Sequence, residues 1–337
     1  MPANDKLNGT AVTKIAFFGD GDLGQRAQSV LTLTQQFGAD AVVFAGDFDV
    51  WDQDMSGDSS RGYAALLERR FDQTRGRLTC EGSNTGVQQT CRINNVVIVV
   101  SGIGTRGKRT EHVDYIDRAL TRHADAQYKV CVWHKNQRLM QIGSKHDEVG
   151  WDAYDTCRKH GALVATGHEH SYARSHTMTS FRKQLFEEEA VISLRPGRSF
   201  VFHAGVGGQK ANSAKDDLQH NDWWAAWAAT QTGLQQGGLM CSFSSVRGHC
   251  EFHSIDGRVH DRFDFTSEVT GQVARIGVLR DAPSDVPLTL QTTHGNQAQF
   301  VIDAADLRQS HSAHWQGRVQ LLSRQAMHSS AWMLFCL

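Results

Sequence analysis

Four short clusters of carboxylate and imidazole residues, each placed directly after an apolar run, constrain this chain more than any other feature. In order they are Gly19-Asp20-Gly21-Asp22, Gly46-Asp47-Phe48-Asp49, His134 in Val132-Trp133-His134, and Gly167-His168-Glu169-His170. Short apolar runs bounded by turn residues read as strands, and strand ends are where open α/β sheets gather their ligands. A single Asp after a strand is commonly a cap or turn residue, and a lone His beside apolar residues is more often packed in a core. Four such clusters in series point elsewhere. Carboxylates with imidazoles form the donor set of divalent Zn, Mn and Fe.

The segments between the clusters alternate. Residues 11–18, 41–45, 95–100, 129–133 and 162–166 read as strands. Residues 25–37, 63–72, 113–123 and 152–160 read as helices. The first helix carries Ala27, Val30, Leu31, Leu33 and Phe37 at helical spacing, and Gly38 follows as a C-terminal cap. Leu66, Leu67 and Phe71 do the same for the second. This rhythm predicts an α/β sheet with helices outside it. Beyond residue 190 the pattern changes. Residues 199–203, 251–255 and 259–265 alternate as half-buried strands, and Asp256-Gly257 between the last two is a hairpin signal. A second, antiparallel sheet is expected there. From residue 267 onward, strand-like pieces at 274–279, 287–290, 299–302 and 319–322 suggest a small β-rich extension.

Composition narrows the function classes. A chain of 337 residues accommodates one large domain with an appendage, and 40% hydrophobic with 21% charged residues fits a globular core. The net charge of -1 provides no field that would draw the chain to nucleic acid or an anionic membrane. No apolar stretch reaches the roughly 20 residues that span a bilayer. Residues 1–6 are polar, so no signal peptide is expected from them. Of the seven cysteines, Cys80 and Cys91 bracket a Gly/Ser/Asn-rich loop, and Cys241 and Cys250 flank a turn. Both spacings suit disulfides, which favours a secreted or luminal setting over scattered reduced thiols. The odd total leaves one cysteine over, with Cys336 as the candidate.

The ordered clusters resemble the motif blocks of the calcineurin-like metallophosphoesterases, and within them the purple-acid-phosphatase-like branch. Gly167-His-Glu-His-Ser-Tyr-Ala-Arg174 is similar to that branch's histidine block and its following Tyr-x-Arg. Ala204-Gly-Val-Gly-Gly208 and Ile255-Asp-Gly-Arg-Val-His-Asp-Arg-Phe263 resemble its closing strands. The resemblance spans residues 11–266 and implies a four-layer αββα sandwich with two divalent metal ions at the ends of its central strands. By the same resemblance Asp20 and His170 bind the first metal and Asp47 bridges both. His134 and His168 bind the second, and Asp22 is a carboxylate substitute for the second ligand of the first motif. Asp47, His134 and His168 then lie nearest the chemistry. The implied reaction is hydrolysis of phosphate mono- or diesters by in-line attack of a metal-bridging hydroxide.

Two departures matter. Purple phosphatases place a tyrosine three residues after the bridging Asp, where this chain has Val50. The family also places a Gly-Asn-His-Asp or Gly-Asn-His-Glu block before the next core strand, and none stands between Asp47 and Val100. Asn84, Asn94 and Asn95 are the asparagines of that region, and none follows an apolar strand. The second metal site is then short of a ligand, and the leaving group of a proton donor. Two readings of different class follow. One is a metal-dependent phosphoesterase. The other is a catalytically defective relative acting as a binding or structural protein.

Overall fold

The computed structural model describes residues 12–47, 78–84, 87–216, 218 and 221–268, together with the backbone of three short strands near the C-terminus. The first stretch gives β1 (Thr13–Phe18), α1 (Gln25–Phe37) and β2 (Ala41–Phe44). Next come β3 (Leu78–Asn84), β4 (Gln88–Ile93), β5 (Val96–Ser101), α2 (Arg109–Arg122), β6 (Tyr128–Trp133), α3 (Asp152–Lys159) and β7 (Leu163–Thr166). Six further strands follow: β8 (Tyr172–Ser175), β9 (Thr177–Ser180), β10 (Leu185–Glu187), β11 (Ile192–Leu194), β12 (Val201–Ala204) and β13 (Trp224–Ala228). The last are β14 (Gly237–Phe243), β15 (Gly248–Ser254), β16 (Val259–Ser267), β17 (Leu288–Gln291), β18 (Gln297–Phe300) and β19 (Met333–Phe335). The helix expected at 63–72 and the strands expected at 274–279 and 319–322 lie outside the described residues.

Two large mixed sheets face each other. One runs β11-β16-β15-β14-β1-β2-β19 and the other β13-β8-β12-β7-β6-β5-β4-β3. In the first, β1 and β2 are parallel while β14, β15 and β16 form an antiparallel meander. In the second, β5, β6, β7 and β12 are parallel, flanked by antiparallel strands on both sides.

The two-residue period of each strand assigns the layers. Ile15 and Phe17 of β1, and Val96, Ile98 and Val100 of β5, point into the core between the sheets. Ala16 and Phe18 point the other way, onto Ala27, Val30 and Leu31 of α1. Val97 and Val99 face Ile116, Leu120 and Tyr154 of α2 and α3. The result is the four-layer αββα sandwich. Phe17 meets Phe202 edge-on at 5.5 Å across the central core, and Tyr128 meets Phe243 at 5.2 Å. Each such buried aromatic contributes roughly 1.5–3 kcal/mol through area alone.

Local signals account for the ends of elements. Gly38 takes the left-handed conformation at φ 70°, and the Ala39 amide reaches back to Thr34 O, closing α1 as a Schellman turn. Gly257, at φ 84°, turns the β15–β16 hairpin. The segment between Cys80 and Cys91, read from sequence as a loop, belongs instead to the β3–β4 hairpin, with the two cysteines directly opposite each other. Its strands lie at a sheet edge with one wet face, so they carry Thr, Glu and Gln where a central strand carries Val.

Disulfides join Cys80 to Cys91, Cys241 to Cys250, and Cys131 of β6 to Cys157 of α3. The third pair was not expected from sequence. The chain forms two units, residues 1–269 with 329–337, and residues 270–328. The second contains the antiparallel pair β17–β18, whereas β19 lies parallel to β2 in the first. No helix among the described residues is long and apolar enough to cross a membrane.

Candidate metal centre

The four clusters sit at the C-terminal ends of β1, β2, β6 and β7, two strands from each sheet. Their loops are laced together by backbone hydrogen bonds. The amide of Asp20 donates to Gly46 O at 2.9 Å, that of Gly21 to Asp47 O at 2.8 Å, and that of Gly167 to His134 O at 3.1 Å. The turns are sharp. Five non-glycine residues among those described have positive φ, and three are Asp20 (58°), Asp47 (58°) and His168 (69°). Left-handed backbone costs an L-residue roughly 1–2 kcal/mol, so the strain is concentrated at these strand ends.

Asp47, His134 and His168 offer ligand atoms that all lie within 4.8 Å of one another. His134 Nδ1 is 2.8 Å from Ala45 O, so that nitrogen carries the proton and donates it. Nε2 is left 3.3 Å from Asp47 Oδ2. A second pair stands beside them. Asp20 is fully buried, and its Oδ2 accepts the His168 amide at 2.7 Å. Its Oδ1 lies 3.3 Å from His170 Nε2 yet has no hydrogen-bond partner. His168 Nδ1 is likewise buried without a partner. A buried carboxylate oxygen and an imidazole nitrogen left unpaired are costly in a folded protein. They are the donor atoms a divalent cation would satisfy, so the residues present fit a metal.

Close approach needs glycine here. A Cβ on Gly167 would stand 2.7 Å from Asp20 Oδ2, and one on Gly205 would stand 2.3 Å from Glu169 O. The Gly205-Val206-Gly207-Gly208 run packs against the first motif, with Gly207 and Gly208 donating to Gly19 O and Asp20 O. The His134 ring beside it holds the Asp47 carboxyl below its ordinary range. Burial pushes His134 down, but the nearby Asp20 and Asp47 carboxylates outweigh it and leave the imidazole raised. Burial, with the charges of His134 and Lys145, drops His168 to about 3. His168 is therefore neutral, the form in which imidazole binds a metal.

Other sequence candidates fall elsewhere. Asp22, like Asp20 and His170, is not among the three residues whose ligand atoms all lie within 4.8 Å; its Oδ1 accepts the Gly24 amide at 2.7 Å and builds the turn into α1. Asp49 and Val50 lie outside the described residues. Asn94 donates to Thr13 Oγ1, and Asn95 to Gln127 and Ser244, at the opposite ends of the strands. Arg174 pairs with Asp261 at 2.7 Å, and the Tyr172 hydroxyl joins it at 2.6 Å.

Three residues near the cluster carried no sequence signal. Lys145 donates to His168 O, and Glu148 stands against His168 Nε2 with Lys135 behind it. All three come from the β6–α3 connection, where no motif or periodicity marks them.

Neither a protein-family model nor a curated protein matches the sequence. Solved structures do. The purple acid phosphatase PPD1 from seeds of yellow lupin (Lupinus luteus) superposes with a TM-score of 0.59 at 13% identity, over 77% of this chain and 54% of that one. PhoD matches with a TM-score of 0.47 at 9% identity, over 77% of this chain and 70% of that one. GAP50, the anchor in the inner membrane complex of Plasmodium, matches with 0.47 at 11%, over 76% and 89%. The chain spans about half the length of the lupin phosphatase. That likeness extends to the fold, which this chain shares with the lupin phosphatase.

Proposed function

We propose that the chain is a metal-dependent phosphoesterase, a hydrolase of phosphate mono- or diesters working with two divalent ions drawn from Zn, Mn and Fe. The observation that carries this reading is the convergence of Asp20, Asp47, His134, His168 and His170 at four adjoining strand ends, with buried donor atoms left unpaired. Asp20 and His170 would hold one ion, His134 and His168 the other, and Asp47 would lie between. Ions at these positions supply Lewis acidity and an activated water, and they neutralise charge on the phosphoryl group.

The chain's own part is positional. Ala45 O holds the proton of His134 on Nδ1 and so aims Nε2 at Asp47. Lys145 adds positive charge beside the cluster, where an anionic ester would approach. In this reading residues 11–266 form the phosphoesterase domain and 267–337 an extension. The three disulfides favour a secreted or luminal protein.

One feature favours a second reading, a relative that binds without turnover. The sequence has no Gly-Asn-His block between Asp47 and Val100, and Asn94 and Asn95 are engaged elsewhere. Elemental analysis and hydrolysis of an aryl phosphate, each with His168→Ala as control, separate the two. Metal with turnover supports the enzyme; metal without turnover supports the binding protein. A protein that takes up no metal contradicts the enzyme and the metal-binding form of the second reading alike, and leaves a structural role.

A further inference from the structure

His134 and His168 solve the same problem in different ways. An imidazole ligand must keep its proton on the nitrogen turned away from the ion, and the partner of that N–H decides which nitrogen it is. For His134 the partner is a backbone carbonyl, Ala45 O, so the ligating nitrogen is Nε2. For His168 the bare, buried nitrogen is Nδ1. Its Nε2 faces a carboxylate oxygen, Glu148 Oε2, at 3.2 Å.

From this we infer that Glu148, braced by Lys135, holds the proton of His168 on Nε2 and turns Nδ1 toward the metal site, as a positioning residue. Lys135 Nζ pairs with the other oxygen of Glu148, which directs Oε2 to the ring. The backbone of Glu148 is held as well. Its amide donates to Asn136 O at 3.3 Å, and the Asn136 side chain donates to Gly167 O at 2.7 Å, next to the histidine. Glu148 and the ring it holds thus hang from one frame.

Glu148 and Lys135 are partly exposed, with side chains 30% and 26% accessible. An ion pair in that setting adds little to folding, so a stability role alone does not explain the arrangement. A carboxylate acceptor makes the ring a better donor than an amide carbonyl does, and loss of such a partner typically weakens metal binding about 10–100-fold. The chain therefore tunes its two imidazoles unequally.

The affinity part of this inference rests on the metal site proposed above; the tautomer part does not. The test compares the wild type with Glu148→Gln, Glu148→Ala and Lys135→Met, using His168→Ala to assign the signal. In metal-free protein labelled with nitrogen isotope, two-bond ring correlations report which nitrogen of His168 is protonated. We expect Nε2–H in the wild type and in Glu148→Gln, whose amide oxygen can still accept, and a mixed tautomer in Glu148→Ala. Titration with Zn²⁺ should show one site weakened about 10–100-fold in Glu148→Ala and less in Glu148→Gln, with melting temperatures nearly unchanged. An unaltered tautomer in Glu148→Ala overturns the inference, as does unaltered Zn²⁺ affinity. If the wild type takes up no Zn²⁺, the metal reading fails, and the tautomer spectra alone decide the role of Glu148.

Discussion

Replacing Gly167 by alanine should damage the metal centre through a single methyl group. The new Cβ would stand 2.7 Å from Asp20 Oδ2 and 3.0 Å from Ala45 O. A carbon–oxygen contact relaxes at about 3.3 Å or more, so the carboxylate must retreat by roughly 0.6 Å. It is then pulled off the His168 amide, which it now meets at 2.7 Å. Overpacking and the weakened charge-assisted hydrogen bond together amount to about 2–4 kcal/mol. For a domain of this size that is a drop in melting temperature of order 10 °C. Displacing Asp20 should also lower affinity for the ion it shares with His170 by about 10–100-fold.

Gly38→Ala is the contrasting control. Gly38 has positive φ, at 70°, which Gly167 does not, and its nearest neighbour is Lys14 Nζ at 4.0 Å. Alanine there meets backbone strain of roughly 1–2 kcal/mol and nothing else. Calorimetric titration with Zn²⁺ and thermal melts on both variants provide the comparison. Wild-type metal affinity in Gly167→Ala would refute the placement of Asp20 as a ligand, whatever the melts show.

Four further outcomes are expected. Asp47→Asn should abolish binding of both ions and His170→Ala of one, by elemental analysis; metal content indifferent to both changes would sink the shared-ligand scheme. Non-reducing peptide mapping should recover Cys80–Cys91, Cys131–Cys157 and Cys241–Cys250. Replacing Cys131 and Cys157 together by alanine opens a link of sequence separation 26 and should cost about 3.5 kcal/mol in the chain-entropy picture, read by denaturant melts. Burial lowers Lys129 from 10.5 to about 8. The unfolded chain thus holds the extra proton, so stability should be lowest below about pH 8 and rise as pH climbs toward 10.5. Lys129→Met should flatten that rise and stabilise the protein at pH 7 by up to about 3 kcal/mol; a pH profile unchanged by the substitution would contradict it. Lastly, aryl phosphate hydrolysis should be weak in this chain and rise by about 10²–10⁴ when an Asn-His loop is inserted after Thr74. Ordinary turnover without the loop, lost in His168→Ala, would show that another residue supplies the proton.

Central strands and both ends of α1 were legible because their signals are local, whereas α2 begins at Arg109, four residues before its expected start. The apolar runs of β1, β2, β5, β6 and β7 lie within a residue or two of their expected limits, and Gly38 and Gly257 close the turns that their conformational freedom suggests. The edge hairpin β3–β4 was not legible, since a strand with one wet face has the composition of a loop. Cys131 and Cys157 meet only after β6 and α3 pack, and nothing in their spacing announces it. Asp22 also builds an Asx turn, a role that an acidic residue beside a motif takes without any signal of its own in the sequence. Glu148 was missed for the converse reason: its partner, His168, lies on a different element, and only the fold joins them.

The left-handed backbone at Asp20, Asp47 and His168 places folding and chemistry in opposition. Glycine at 47 or 168 would relieve roughly 1–2 kcal/mol of strain, whereas at 20 that relief is set against the hydrogen bond from the His168 amide. Selection for a sturdy sandwich alone would therefore drift toward glycine at 47 and 168. If the proposed centre is what keeps a carboxylate and an imidazole there, these two positions are a built-in gauge of use. In a lineage where the centre had fallen idle, drift toward glycine at 47 and 168 would be rewarded by the fold itself, well before the surrounding core began to erode.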